Sequence, residues 1–379
     1  MKAFSPFLYS KRNKRKVFAS LNAVIIAVSF LFVLYAFMQS MIFFQERKFL
    51  YLYDNIASVS TYGANPIEKE IIEKIKENEN VETVIPANRN FSIYYKIPGI
   101  IDTSLAIPIL EQDRDYFMDK LNIKVLEGRL PKEGLMEIAI NKDIAINRKL
   151  ILGDKVGDSV NKLDNIPGEY EIVGILDDVA VTSIMSVNDR NMPNYKNREE
   201  LLTRGFYVFP KEDKKEAMDK YISSLEKDKV SITTKEIAVD YFNKSASSTK
   251  VIDVIAILSI VVMVLTVGSS KYAQYLNRKE ELGVLNALGF NKSQILKRAF
   301  NEVVIVNLFG YILGIVLGII LSYLLAKGLW ESCGVKGFLY TGKGIVIASF
   351  IPLFTILFSI IPINMMINKL DPIKMIEKN

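Results

Sequence analysis

The residues that ordinarily carry chemistry are thin on this chain. Its 379 residues include no histidine and one cysteine, Cys333. Ser–His and Cys–His nucleophilic catalysis are excluded on that ground, as are the common His or Cys metal sites and an intramolecular disulfide. Cys333 reads as an incidental free thiol. Carboxylates are abundant, but no pair has a spacing that marks an acid–base couple, so no catalytic residue is assigned. The stretch GFLYTGKG (337–344) approaches the phosphate loop G-x-x-x-x-G-K-[ST]. Gly344, however, stands where the magnesium-holding hydroxyl belongs, and no strand–loop–helix context surrounds it. It reads as a turn leading into an apolar segment. No metal and no cofactor is expected on this chain.

What remains is a short charged island between two apolar runs, YLNRKEELGVLNALGFNKSQILKRAFNE (275–302). Leu282, Leu285 and Leu288, with nearby Val284, recur at helical spacing behind Lys279, Glu280 and Glu281. Gly289 should stop that helix, as glycine commonly does one residue past a helix end. Asn291 can cap a second helix, and Gln294 three positions later fits a capping box. The second helix then runs through QILKRAF into the next apolar run. The island is therefore helix, Gly elbow, helix. Periodicity leaves two readings of its apolar stripe open: a helix resting on lipid, or one fitting a groove on a partner.

The elements around the island set its place. Four segments exceed the roughly 20 apolar residues that cross about 30 Å of hydrocarbon: Val17–Phe44, Val251–Ser270, Ala299–Ala326 and Ile345–Ile367. The first follows KRNKRK (11–16) but is too long for a signal peptide and has no clear cleavage site, so it reads as an uncleaved anchor. Lys and Arg are concentrated in the N-terminal tail and in 271–298, which places both, with the C-terminal tail, in the cytoplasm. The expected order is a basic tail (1–16), a span (17–44), an outer region (45–250) and a second span (251–270). A cytoplasmic loop (271–298), a span (299–326), an outer loop (327–344), a last span (345–367) and a tail (368–379) follow. Residues 46–250 carry a net charge of −5 and the remainder +11. The basic excess thus faces anionic lipid at the cytoplasmic surface. No nucleic-acid motif accompanies it.

The outer region reads as α+β. PIEKEIIEKIKENENVETVIPA (66–87) is a helix followed by a strand, and 205–232 repeats the theme as strand, helix, strand. Between them, EIAINKDIAINRKLILGDKVGDSV and GEYEIVGILDD alternate in short runs as in a β-rich insertion. Residues 183–205 are polar and read as a mobile loop. In the third span Gly310, Gly314 and Gly318 share one face and allow close helix approach, within the chain or between two copies. Asp253 and Glu302 sit near span ends, where both are expected to reach water as structural anchors. Pro352 and Pro362 should kink the fourth span.

KEELGVLNALGFNKSQILKRAFNEVVIVNLFGYILGIVLG (279–318) closely resembles the signature of MacB/FtsX-type permeases of ABC transporters. Glu281, Leu282, Gly283, Leu285, Ala287, Leu288 and Gly289 fill its first part, Gln294, Ile295 and Glu302 its second, and the three glycines its third. Leu126–Arg129 with EIAI, GDKVGD and YEIVGIL resembles the family's outer-domain pattern, and LDPIKMIEK its C-terminal tail. The resemblance implies four transmembrane helices with a large extracytoplasmic MacB-like domain between spans 1 and 2, and a homodimer in the plasma membrane. It also implies two copies of a separate ABC ATPase subunit, which hold ATP and magnesium. Glu280, Glu281, Leu282, Gly283, Leu285, Ala287, Leu288 and Gly289 would couple to that ATPase, with Glu302 acting at membrane entry. Residues 38–60 and 235–250 would form a stalk carrying the outer domain. The function implied is export or extrusion of amphipathic cargo, such as an antimicrobial peptide, a lipoprotein or a macrolide-like drug, with or without an extracytoplasmic adaptor. The alternative is an FtsX-like signalling device that controls a wall hydrolase. The long outer region is more MacB-like. Abundant Lys, Ile and Asn fit a Gram-positive source.

Overall fold

The computed structural model describes residues 14–62, 65–87, 91–193, 197–225, 229–245 and 248–369. The basic residues of the N-terminal tail before Lys14 and the DP tail from residue 370 onward lie outside them. The described chain divides into two units, and each is built by its own rule.

The first helix, α1 (Lys14–Phe49), belongs to both units: it lies in the membrane unit up to Gln39 and in the α+β unit from Ser40. A helix does not end where hydrocarbon ends, so it runs five residues past the expected span. A short α2 (Tyr51–Asn55) follows. The α+β unit then holds β1 (Ala57–Thr61), α3 (Lys69–Lys76), β2 (Val81–Pro86), β3 (Ser92–Ile97), β4 (Ile100–Pro108) and α4 (Glu111–Lys120). It continues with β5 (Lys124–Gly128), β6 (Glu137–Asn141), α5 (Lys142–Arg148), β7 (Lys155–Val156), β8 (Tyr170–Asp177) and β9 (Ser183–Met185). It closes with α6 (Arg198–Leu202), β10 (Gly205–Pro210), α7 (Lys215–Ser223), β11 (Val230–Thr233) and α8 (Lys235–Ser245). Lys327–Lys336, expected as part of a separate outer loop, also clusters with this unit.

Two sheets organise the unit. One has the antiparallel order β11-β1-β10-β2. The two α/β themes read from the sequence both feed it. Strand alternation divides β10 between two cores: Phe206 and Val208 pack with Ile72, Ile75, Met218 and Ile222, while Tyr207 and Phe209 pack with Phe117, Ile107 and Ile184. The second sheet runs β3-β4-β9-β6-β8-β5, with β7 on β8.

Two local readings are corrected here. Lys142–Arg148 is a helix inside the stretch read as β-rich, because the Asn141 side chain accepts the Asp143 N–H and caps it directly after β6. Residues 183–192 are not a mobile loop. Ser183, Ser186, Asn188 and Asn191 are buried, and the asparagine amides satisfy the local backbone through Asn188 N–H to Asn191 Oδ1 and Asn191 Nδ2 to Ser186 O. Polar composition here signals an internally bonded turn.

The membrane unit holds α1 to Gln39, α9 (Ser248–Leu276), α10 (Lys279–Ala287), α11 (Lys292–Leu325) and α12 (Gly342–Asn368). Among the described residues, four helices are long and apolar enough to cross a bilayer. Val24, Ala27, Val28, Leu31 and Tyr35 of α1 share one core with Ala256 and Val267 of α9 and Ala348 and Ile351 of α12. Pro352 and Pro362 both lie inside α12.

Candidate functional site

The charged island folds as its sequence dictates. After α10, Gly289 takes φ +92°, a left-handed conformation that favours glycine. The Phe290 N–H reaches Leu285 O (3.2 Å) and the Gly289 N–H reaches Asn286 O (3.1 Å), which together form a Schellman closure. Two residues later the Asn291 side chain accepts the Gln294 N–H (2.8 Å), and Gln294 Oε1 accepts the Asn291 N–H (3.1 Å). This is a complete capping box. The corner between α10 and α11 is therefore closed on both sides, and α11 continues from it for 34 residues, about 50 Å at 1.5 Å per residue.

The apolar stripe of α10 divides into two faces. Leu282 is 2% exposed and packs with Tyr275, Ile295, Ala299, Val303, Ile363 and Met366, and Gly283 is buried beside it. Leu285 packs partly against the same cluster. Leu288 is 71% exposed and Val284 60%, and Glu280, Glu281, Ala287 and Gly289 are exposed with them. The expectation that Leu282, Leu285 and Leu288 would form one outward row is thus corrected. The helix folds back on α11, so Leu282 serves the chain's own core and the outward row runs Glu280, Val284, Ala287, Leu288.

A buried ionic cluster holds that fold-back. Glu302, on α11, is 8% exposed and does not reach water as expected. Its Oε2 accepts from Arg278 Nη1 (2.8 Å) and from Tyr275 Oη (2.8 Å), and its Oε1 accepts from Arg298 Nε (3.2 Å). Arg278, 7% exposed, also donates to both oxygens of Glu281, from Nε (3.0 Å) and Nη2 (3.2 Å). Arg298 Nη2 lies 3.7 Å from Glu281. Lys271 is buried on the preceding turns of α9. One carboxylate thus ties α9, the α9–α10 junction and α11 together, and every oxygen of it has a partner. Burial alone would lower the Arg278 pKa, but the Glu281 hydrogen bonds and the Glu302 charge raise it overall. Burial would raise Glu281, and Arg278 outweighs it to leave that carboxyl below its ordinary value. The sequence reading named Glu302 and Glu281 but missed Arg278, Arg298 and Tyr275. The i, i+3 and i, i+4 spacings of Arg278–Glu281 and Arg298–Glu302 were the available signal.

Gly310, Gly314 and Gly318 are all buried against α1. A Cβ on each would stand 2.7 Å from Val24 Cγ1, Val28 Cβ and Phe32 Cδ1 respectively, too close for any side chain. The stripe thus lets α11 lie against α1 within one chain. Asp253 pairs with Lys343 (3.0 Å) and accepts from Tyr35 Oη (2.9 Å). Among the described residues no group of His, Cys, Asp or Glu side chains is arranged to hold a metal.

Residues 17–225 match the model of the MacB-like periplasmic core domain, and residues 254–370 that of the FtsX-like permease C-terminal region. No curated protein sequence matches the chain. Among solved structures, the periplasmic region of MacB from Actinobacillus actinomycetemcomitans is 12% identical, covering 50% of this chain and 94% of its own, with a TM-score of 0.30. A domain of a putative permease from Porphyromonas gingivalis is 15% identical, covering 48% and 90%, with a TM-score of 0.28. The extracellular domain of the noncanonic ABC-type transporter YknZ from Gram-positive bacteria is 13% identical, covering 48% and 100%, with a TM-score of 0.27. At those TM-scores the three likenesses carry no argument of their own; the two family models, end to end, do.

Proposed function

The chain belongs to the MacB/FtsX-type permeases, multi-pass membrane components of ABC transporters, and from that premise we propose that α10 is its docking helix for a separate ABC ATPase. The observation that carries this reading is the division of α10 into a locked face and an open face. Leu282 and the Arg278–Glu302–Arg298 cluster fix the helix to α11, while Val284, Ala287 and Leu288 present apolar surface with Glu280 beside them. A helix that only rested on lipid would not need four buried or half-buried charges to fix its angle to the next span. A helix that transmits force does, because displacement passes only through a joint that does not yield. Pushing α10 moves α11 along its whole length, and the glycine stripe carries that motion to α1.

In this reading the chain works as a homodimer with two ATPase copies, which hold ATP and magnesium. The termini and the 277–291 corner face the cytoplasm of a Gram-positive cell. The cargo is amphipathic, and the α+β domain meets it, or an adaptor, outside. The test is purification of the tagged full chain from its own membranes. An ABC ATPase should co-purify and hydrolyse ATP with magnesium, and the chain separated from it should not. Hydrolysis by the separated chain, or a stable complex without any ATPase, contradicts the reading. Deletion of the gene should raise sensitivity to amphipathic peptides or drugs. Unchanged sensitivity with impaired wall cleavage would assign the FtsX-like signalling role instead.

A further inference from the structure

The membrane unit holds a concavity that neither α10 nor the glycine stripe uses. Between α9 and α12 lies a groove of about 770 Å³, walled by Ile257, Val261 and Leu265 on one side and Phe350, Phe354 and Leu357 on the other. A cavity of this size is in the range that holds a small ligand. An apolar face on a membrane-spanning helix needs no explanation, because hydrocarbon covers it. A groove with a floor, a set length and one charged end does.

A glycine sets the floor. Gly268 of α9 is buried, and a Cβ there would collide with the Phe358 ring of α12. The two helices touch at that level, as small residues allow. On α9 the lining of the groove stops at Leu265, one turn short of that contact.

Three side chains build the charged end. Lys343 Nζ lies 3.0 Å and 3.3 Å from the two Asp253 carboxylate oxygens, and the Tyr35 hydroxyl donates to Asp253 Oδ1 (2.9 Å). The Lys343 ammonium also stands 5.3 Å from the centre of the Tyr35 ring. All three residues line the groove. Tyr35 is buried, whereas the Asp253 and Lys343 side chains are each about half exposed. The groove therefore ends on one anion and one cation, side by side and still accessible.

Its length is the third observation. Gly268 lies fifteen residues beyond Asp253, and Phe358 fifteen beyond Lys343, so the charged end and the floor are about 22 Å apart along either helix. One leaflet of a bilayer, headgroups included, is about 20–22 Å thick.

We propose that this groove holds one zwitterionic phospholipid of the phosphatidylethanolamine type. An acyl chain lies between the α9 and α12 walls, the lipid phosphate meets Lys343, and the lipid ammonium meets Asp253. Both headgroup charges are then matched, whereas an anionic headgroup brings no cation for Asp253. A helix from a second copy would fit the apolar walls but would cover the ion pair without partnering it, at a desolvation cost. The site stands apart from the docking role of α10 and needs no ATPase.

The experiment is native mass spectrometry of the full chain, purified in mild detergent and titrated with palmitoyl-oleoyl phosphatidylethanolamine or the matching phosphatidylglycerol. Wild type should retain one lipid per chain and favour phosphatidylethanolamine about five-fold, the worth of one exposed ion pair. Asp253→Asn should bring the two lipids to parity. Val261→Trp, which fills the groove at an exposed position, should abolish retention, and Leu313→Trp, exposed on α11 outside the groove, should leave it unchanged. Equal retention of the two lipids by wild type would overturn the proposal, as would retention that survives Val261→Trp or is lost equally in Leu313→Trp. So would disulfide cross-linking between copies through Val261→Cys, in a Cys333→Ser background, with no lipid retained, since a second copy would then occupy the groove.

Discussion

The two ends of the membrane unit use the same side-chain types to opposite effect. At one end Lys343 and Asp253 form an ion pair whose side chains are 59% and 47% exposed, with the Tyr35 hydroxyl beside it. At the other, Glu302, Arg278 and Arg298 form a cluster in which no side chain is more than 10% exposed. Exposed pairs are screened and contribute about 0–1 kcal/mol. A buried charge that loses its partner costs about 3–5 kcal/mol. The difference teaches where the molecule is required to be stiff. The joint beneath α10 is over-determined, and the far end is not.

The largest effect should follow from breaking the stiff end. Glu302→Ala removes the buried carboxylate that both guanidiniums share and leaves them only the half-exposed Glu281, with Lys271 buried nearby, so it should destabilise the chain by about 3–5 kcal/mol, measured as a lowered thermal midpoint in detergent. It should also increase proteolysis within 277–291. A midpoint within a degree of wild type would break the comparison.

Gly314→Ile should come next, because a Cβ there already meets Val28 at 2.7 Å. Overpacking of this kind typically costs about 1–3 kcal/mol, again read from the midpoint. If the stripe served contacts between copies instead, the midpoint would hold and only the oligomer would be lost.

Glu281 sharpens the contrast within the cluster itself, because its side chain is 45% exposed. Its folded pKa is depressed, so the stability it contributes is present above its unfolded value of about 4.3 and lost as pH falls through the folded one. Glu281→Gln should therefore differ from wild type by no more than about 1 kcal/mol at pH 7, and the difference should shrink as pH falls below the unfolded value. Smallest of all, Lys343→Ala should change the midpoint by an amount within about 1 kcal/mol.

How much of this was legible follows the range of each interaction. The Schellman closure at Gly289 and the Asn291–Gln294 capping box are local, three to five residues across, and could be read directly. The glycine stripe was legible as a face, but its partner on α1 lies some 290 residues away, so the choice between one chain and two needed the fold. The same holds for Arg278, which meets Glu302 across 24 residues and two helix junctions. The division of α10 was hidden for another reason. A nine-residue helix of barely two and a half turns shows an apolar stripe without showing which edge faces inward. Leu282 and Leu288 look equivalent until α11 is placed beside them. In the α+β unit, Asn188 and Asn191 read as loop because side-chain bonding to the backbone leaves no periodicity to detect.

The central claim is that the open edge of α10, and not its buried edge, engages an ATPase. The most direct measurement is co-purification of the ATPase with the double variant Val284→Asp, Leu288→Asp, alongside the thermal midpoint of each permease. Burial of each aliphatic side chain is worth about 1.5–3 kcal/mol, so bound ATPase should fall tens-fold or more while the midpoint stays at the wild-type value. Leu282→Ala should do the reverse, lowering the midpoint by about 2–5 kcal/mol equivalent while the molecules that remain folded retain the partner. ATPase recovered with the double variant at wild-type yield would contradict the account.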